Sequence, residues 1–319
     1  MSSDLHVVLG AGGGTGRALV HELLARKLTV RAVVRRADGD FGADVQSVVA
    51  DLTDAAQTRA AVAGAAVVYH AANPPYPRWT DVFPGLNRNV VAAASAAGAT
   101  IVFADNLYMY GPGAGVMTED TPQRATDKKG RLRREMAEEL LAADRAGDVR
   151  VAIGRSSDYF GPGGIGSSLG ERVFDAAVQG KRVPWLGSAD QPHSVAFLPD
   201  IARGLVTLGL ARESTGQVWH LPSSGAPTGR EFVAAIAGAV GRPLRVSPNP
   251  RWMLRAVGLF SPMVREVAGV MYQWEAPFIS SDARFQAAFG PLPATPLDEA
   301  VKATVDWFAA RREGDKPAA

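Results

Sequence analysis

Through the first half of the chain, short β-branched runs alternate with Ala-rich stretches, and each junction carries a turn signal. The runs predict strands over Leu5–Leu9, Leu28–Val34, Val45–Ala50, Ala66–His70, Thr100–Phe103 and Val149–Gly154. Between them Gly14–Arg26, Asp54–Ala63, Asp81–Ala97 and Asp127–Arg145 have helical spacing. Strand, helix, strand in repetition implies parallel pairing with helices on both faces. The expected fold is therefore α/β: a doubly wound parallel sheet over residues 1–160, with a smaller, irregular C-terminal part over 161–319. Some later segments are free to return to the sheet.

Past Phe160 the alternation stops. Gly161-Pro162-Gly163-Gly164 marks a loop, and Thr228-Gly229-Arg230-Glu231 reads as a capping box opening a helix over Glu231–Val240. Arg251–Trp274, apolar and interrupted by Pro262, fits a pair of core-packing helices or a cover over a pocket. The polar tail Arg311–Ala319 is expected to fray.

With 47% apolar and 21% charged residues, the chain has an ordinary globular balance. A net charge of +2 without a long Lys or Arg run argues against nucleic acid as a partner. Cysteine is absent, which removes disulfides, thiolate metal sites and a thiol nucleophile. His6, His21, His70, His193 and His220 are scattered, so no metal is expected. Neither a leader-like N-terminus nor an apolar stretch long enough for a bilayer is visible. The expectation is a cytoplasmic monomer or homodimer that acts on a small molecule, with no membrane.

Candidate chemistry begins at the first strand-to-helix turn, Leu9-Gly10-Ala11-Gly12-Gly13-Gly14-Thr15-Gly16-Arg17. Glycines here let the chain turn sharply, bring backbone amides near a pyrophosphate and let the helix pack on the strand. Gly10, Gly13 and Gly16 make G-x-x-G-x-x-G, and the flanking strand and helix turn a glycine cluster into a dinucleotide motif. At the end of the second strand Arg35 and Arg36 stand where an NAD site would present a carboxylate. A guanidinium suits a 2′-phosphate, so NADP(H) is the expected cofactor. Asp38 and Asp40 lie close by in sequence and weigh the other way.

In these motifs the chain resembles the short-chain dehydrogenase/reductase superfamily, in its extended and atypical branches that include the nucleotide-sugar epimerase/dehydratases. Asp51-Leu52-Thr53-Asp54 looks like the family's adenine-bordering Asp-apolar pair, and Val68-Tyr69-His70-Ala71-Ala72-Asn73 like its cofactor-lining fourth-strand segment. Phe103–Gly111, Arg155–Gly163 and Asp200-Ile201-Ala202 are further matches in order and spacing. The resemblance implies a Rossmann-like fold with a cofactor site at Gly10, Gly12, Gly13, Gly14, Thr15, Gly16, Arg35, Arg36, Asp51, Leu52, Ala71, Ala72 and Asn73.

The family's acid/base unit, an upstream Ser and Tyr-x-x-x-Lys, is missing: no Tyr in the chain is followed four residues later by Lys. Counting by the family pattern puts Asn106 at the Ser position, Gly130 at the Tyr position and Arg134 at the Lys position. In replacement, Tyr108 is expected to donate a proton and Asn106 to hold a carbonyl, their side chains on one side if the segment is extended. Arg134 is expected to hold ribose hydroxyls, and Gly130 to leave room for the aromatic ring. Asp158, Tyr159, His193 and Trp274 are candidate substrate contacts, whereas Lys128 and Lys129 read as solvated. The leading expectation is an NADP(H)-dependent oxidoreductase acting on a small carbonyl or activated double bond. A cofactor-retaining epimerase, dehydratase or isomerase, and a non-catalytic NADP-binding redox sensor, are the alternatives.

Overall fold

The computed structural model describes residues 5–37 and 41–314, so Asp38 and Asp40 lie outside the described residues. β1 (Leu5–Leu9), β2 (Thr29–Val34), β3 (Val45–Val49), β4 (Val67–His70), β5 (Thr100–Asp105), β7 (Arg150–Arg155) and β11 (Gln217–His220) form one sheet. Its order is β3-β2-β1-β4-β5-β7-β11, and every neighbouring pair is parallel. The expected strands and helices of the first half all form, with ends moved by a residue or two.

Side-chain alternation along the strands explains both layers. Val7, Leu9, Ile101 and Phe103 point to one face and pack on α2 (Ala55–Val62), α3 (Trp79–Ala97) and α4 (Lys128–Arg145). Val8, Val102 and Ala152 point to the other, against α1 (Gly14–Ala25) and α6 (Leu198–Leu210). Each such fully buried aliphatic or Phe side chain contributes about 1.5–3 kcal/mol. The chain winds outward from β1 to β3 and then returns to β4 beside β1. That reversal opens a crevice beyond the C-terminal ends of the strands, where ligands of doubly wound sheets sit.

β11, α6 and α10 (Ala283–Phe289) come from beyond residue 160 yet pack into the sheet layers. The rest of the C-terminal part is built around an aromatic core that includes Phe160, Phe174, Trp185, Phe232 and Phe308. α5 (Glu171–Val178), α7 (Gly229–Val240) and α11 (Leu297–Gly314) enclose it. The capping box forms as expected, Thr228 and Glu231 each holding the other's backbone N–H, and α7 starts at Gly229. Three short parallel pairs fasten this part: β6 (Val116–Met117) with β13 (Ile279–Ser280), β8 (Asp158–Phe160) with β10 (Val195–Phe197), and β9 (Val183–Leu186) with β12 (Val246–Asn249).

Arg251–Trp274 folds as a helical hairpin, α8 (Arg251–Gly258) and α9 (Pro262–Gly269). Pro262 opens the second helix, where its missing N–H has no partner to lose. The hairpin is no plain core element: Leu254 and Ala268 are buried, but Trp252, Leu259 and Phe260 are exposed. Among the described residues no helix is long and apolar enough to cross a membrane, and no three His, Asp or Glu converge as metal ligands would.

Candidate active site

The glycines of the first turn divide into two kinds. Gly10 has φ +80, and a Cβ there would lie 2.6 Å from the Ala72 Cα; a Cβ on Gly16 would lie 2.2 Å from the Gly10 carbonyl oxygen. These two are required by the turn itself and by its contact with the end of β4. Gly12 and Gly13 are exposed and roomy, a Cβ on Gly13 meeting nothing nearer than the Gly10 oxygen at 3.5 Å. Gly13 caps α1 without a side-chain hydrogen bond, and Gly163 and Gly164 close over Gly14. The result is a backbone-lined cradle at a helix N-terminus, which fits the pyrophosphate of a dinucleotide.

Gly13, Gly14 and Thr15 lie at one end of a pocket of about 430 Å³ that continues past Ala71, Ala72 and Asn73. It ends at Tyr108, Asp158, Tyr159 and Trp274, joining sheet and C-terminal part in one cavity. Arg35 and Arg36 are exposed just beyond β2, outside this cavity. Asp51 is also exposed; the Thr53 backbone N–H and then its hydroxyl hold the carboxyl below its usual range, with Arg35 a smaller influence. Leu52 is buried in the core.

At the polar end the chain does not continue extended after β5. Tyr108 opens a 3₁₀ turn (Tyr108–Tyr110), and Asn106 Oδ1 accepts its backbone N–H at 3.1 Å. Asn106 and Tyr108 thus reach the same cavity through a turn, not through strand alternation, and the Asn106 oxygen is already occupied by the main chain. Burial, with the Tyr76 phenol and Asp158 adding to it, holds the Tyr108 phenol well above its usual value. Tyr76, raised chiefly by burial as well, lines the same wall. Two protonated hydroxyls therefore stand beside the Asp158 carboxylate.

α4 presents a different face from the one expected. Gly130 leaves no room for an aromatic ring, because a Cβ there would meet Ala125 Cβ at 2.3 Å and the Tyr108 carbonyl oxygen at 2.6 Å. Arg134 lies outside the pocket lining, paired with Glu138 at 3.8 Å and donating to the Gln123 carbonyl at 3.4 Å. Its neighbour Arg133 faces inward, 6% exposed, with its guanidinium 4.7 Å from the Trp79 ring centre and 4.9 Å from that of Phe83. One turn earlier Lys129 is buried, not solvated: Nζ donates to the Tyr76 carbonyl at 2.6 Å and pairs with Glu266 at 3.1 Å. Lys128 is exposed.

Beneath Arg133 lies a buried charge network. Asp105 stands 3.4 Å from Arg133 Nη1 and accepts from Arg155 Nε at 3.0 Å, and Arg155 donates to the Tyr110 hydroxyl at 2.9 Å. That hydroxyl is 2.6 Å from His220 Nε2. Burial, and then Arg155, lowers the His220 pKa to about 3, so the ring is neutral and its Nε2 can accept a hydrogen bond from the Tyr110 hydroxyl. Two guanidiniums flank one buried carboxylate, so removing Asp105 would strand two buried positive charges.

The fourth wall comes from the C-terminal part. His193 Nε2 lies 2.9 Å from Asp158 Oδ2 and Nδ1 lies 3.0 Å from the Gln273 carbonyl oxygen. Both ring nitrogens face oxygens, the Asp158 carboxylate on one side and a main-chain carbonyl on the other. The imidazole stacks on Trp274 at 3.9 Å and 10°. Asp158 reaches the cavity, whereas His193 stands behind it. Sequence reasoning missed Tyr76, Arg133 and Gln273. Only Arg133 left a signal: it shares a helix face with Lys129, Met136 and Leu140, at spacings of three to four and seven residues.

This architecture is found in proteins of known structure. MoeE5, solved with UDP-glucuronic acid and NAD, aligns with a TM-score of 0.78 at 22% identity, covering 97% of this chain and 99% of that one. UDP-glucuronic acid 4-epimerase of Bacillus cereus, solved with UDP-glucuronic acid and NAD, gives 0.79 at 14% identity over 96% and 99%. In sequence, the uncharacterised protein y4nL of Sinorhizobium fredii is 23% identical over 280 residues, 81% of this chain and 78% of that protein. The family model for the NAD-dependent epimerase/dehydratases matches residues 6–221, from the first strand through the last strand of the sheet, and the chain belongs to that family.

Proposed function

We propose that the protein is an NADP(H)-dependent enzyme that interconverts a hydroxyl and a carbonyl on a small molecule and keeps its cofactor through the cycle, as an epimerase, dehydratase or isomerase. The observation that carries this reading is the single cavity running from the amide cradle at Gly13–Thr15 to Tyr108 and Asp158. Family membership supports cofactor retention over a net redox reaction. Gly13, Gly14 and Thr15 would hold the pyrophosphate, Ala71, Ala72 and Asn73 the dinucleotide's course past β4, and Arg35 and Arg36 a 2′-phosphate. Bound nicotinamide supplies hydride exchange at a carbon of the substrate. Arg133, in place of Arg134, lends positive charge to hydroxyls near β5, and as a guanidinium does not trade protons.

The chain's own residues handle the proton. Tyr108, kept protonated by burial, donates to a developing alkoxide, and the Asp158–His193 pair can take up or return a proton on the other side of the cavity. A phenol held this firmly in its O–H form also favours the second reading, net reduction of a carbonyl or activated double bond. Protein purified without added nucleotide, denatured and assayed for released dinucleotide, separates the two. Near-stoichiometric NADP in the released fraction supports retention; nucleotide-free protein that oxidises NADPH with a carbonyl substrate supports net reduction. Binding without either kind of turnover would leave a sensor.

A further inference from the structure

Resting on the reading of this cavity as an active site, we infer that its substrate end takes a small, uncharged, largely apolar molecule bearing a hydroxyl or carbonyl oxygen held by Gln273, and not a nucleotide-diphosphate sugar. Gln273 sits in the 3₁₀ turn Met271–Trp274, is 1% exposed and lines the cavity. Neither its Nε2 nor its Oε1 has a hydrogen-bond partner. The Tyr272 phenol beside it donates to the Tyr108 carbonyl at 3.0 Å and so has no hydrogen left to give Gln273 Oε1. A buried amide left this way bears its full desolvation penalty, so its presence at a cavity wall marks a ligand position. An oxygen-bearing group answers it: a carbonyl accepts from Nε2, and a hydroxyl donates to Oε1.

The surroundings of Gln273 decide against a diphosphate. Leu186, Met263, Val267, Val270, Trp274 and Phe278 make the walls at this end. Among the described residues, Arg133 is the one Lys or Arg lining the whole cavity; its charge is offset by Asp105 at 3.4 Å, and its guanidinium lies against the Trp79 and Phe83 rings. Lys129 next to it is committed to Glu266. The remaining charged group at the substrate end is the Asp158–His193 pair, whose carboxylate would oppose a pyrophosphate. Phosphate recognition rests on guanidinium or ammonium donors, or on backbone amides at a helix N-terminus. The amide cradle at Gly13 is already taken by the cofactor in this reading. A volume of about 430 Å³ that must also receive the nicotinamide end leaves space for a molecule of modest size.

Calorimetric titration of the intact protein, with and without saturating NADP⁺, decides the matter using 2-hydroxyacetophenone and UDP-glucose as probes. The expected result is saturable binding of the hydroxyketone and no heat of binding from UDP-glucose at the same concentrations. Gln273→Leu, of similar volume, should weaken the hydroxyketone at least about tenfold, the equivalent of about 1.4 kcal/mol, while leaving NADP⁺ affinity and the melting temperature in place. Saturable UDP-glucose binding, or no response to the hydroxyketone, overturns the inference, and neither outcome depends on how well the variant folds. Failure of NADP⁺ to bind would break the functional reading instead, and the titrations without it would still decide the substrate class.

Discussion

The turn at Gly10–Gly16 and the helix α4 both border the cavity, yet they are specified in opposite ways. In the turn, the constraint is backbone against backbone: Gly10 against Ala72, Gly16 against Gly10. Such contacts admit one residue type, so the pattern is written in the sequence. On α4 the constraint is a long side chain reaching a distant partner, Lys129 to Glu266 and Arg133 to Asp105. Several residue types satisfy such a contact, and a one-residue change of face redirects the chemistry. A backbone-built turn is thus conspicuous where a wall of long side chains is not.

The largest effect that would test this contrast is on Gly16. Gly16→Ala places a Cβ into the Gly10 carbonyl, and overpacking against rigid backbone should remove about 3 kcal/mol or more of stability. Denaturant unfolding that matches the unmodified protein would show that the turn yields easily. Gly13→Val, two turn positions away in function, should instead melt normally and lose NADPH affinity by at least about a hundredfold, about 2.7 kcal/mol. Retained binding by calorimetry would mean that the cradle is not the cofactor site.

On the other wall, Tyr108→Phe removes the proposed donor while keeping the ring beside Trp79. Since general acid catalysis contributes about 10²- to 10⁴-fold, turnover should fall by at least the lower figure with NADPH affinity unchanged. Wild-type turnover would reduce Tyr108 to packing and leave the proton to Asp158. The smallest effect is expected at the exposed end of β2. NADPH should bind at least about tenfold more tightly than NADH, about 1.4 kcal/mol, and the double change Arg35→Ala, Arg36→Ala should close that gap. Equal affinities in the unmodified protein would remove the case for a 2′-phosphate site.

The sheet was legible because short continuous apolar runs, as in Val7, Val8 and Leu9, mark parallel strands buried on both faces. The helices followed from their spacing between those runs, and α7 from its capping box. Legibility ended where placement depended on the tertiary structure. Asn106 spends its side chain on a turn, so strand alternation could not locate Tyr108. Gly130 looked like vacant space only until the Tyr108 carbonyl was found in it. His193, Trp274 and Asp158 are brought together by chain segments with no shared periodicity, and nothing in the sequence around Gln273 marks its amide as unpartnered.

The hydrogen bond from the Tyr272 hydroxyl to the Tyr108 carbonyl spans 164 residues. It gives the molecule an order in time as it emerges from the ribosome. Strands β1 to β5 and β7, with the glycine turn, are all available once residue 155 has been made, whereas the wall carrying Gln273, Trp274 and Phe278 arrives more than a hundred residues later. Closing so long a loop adds little to its entropic cost per extra residue, but it delays the reward. A nascent chain released early would therefore carry the glycine turn while lacking the wall that encloses the cavity opposite it.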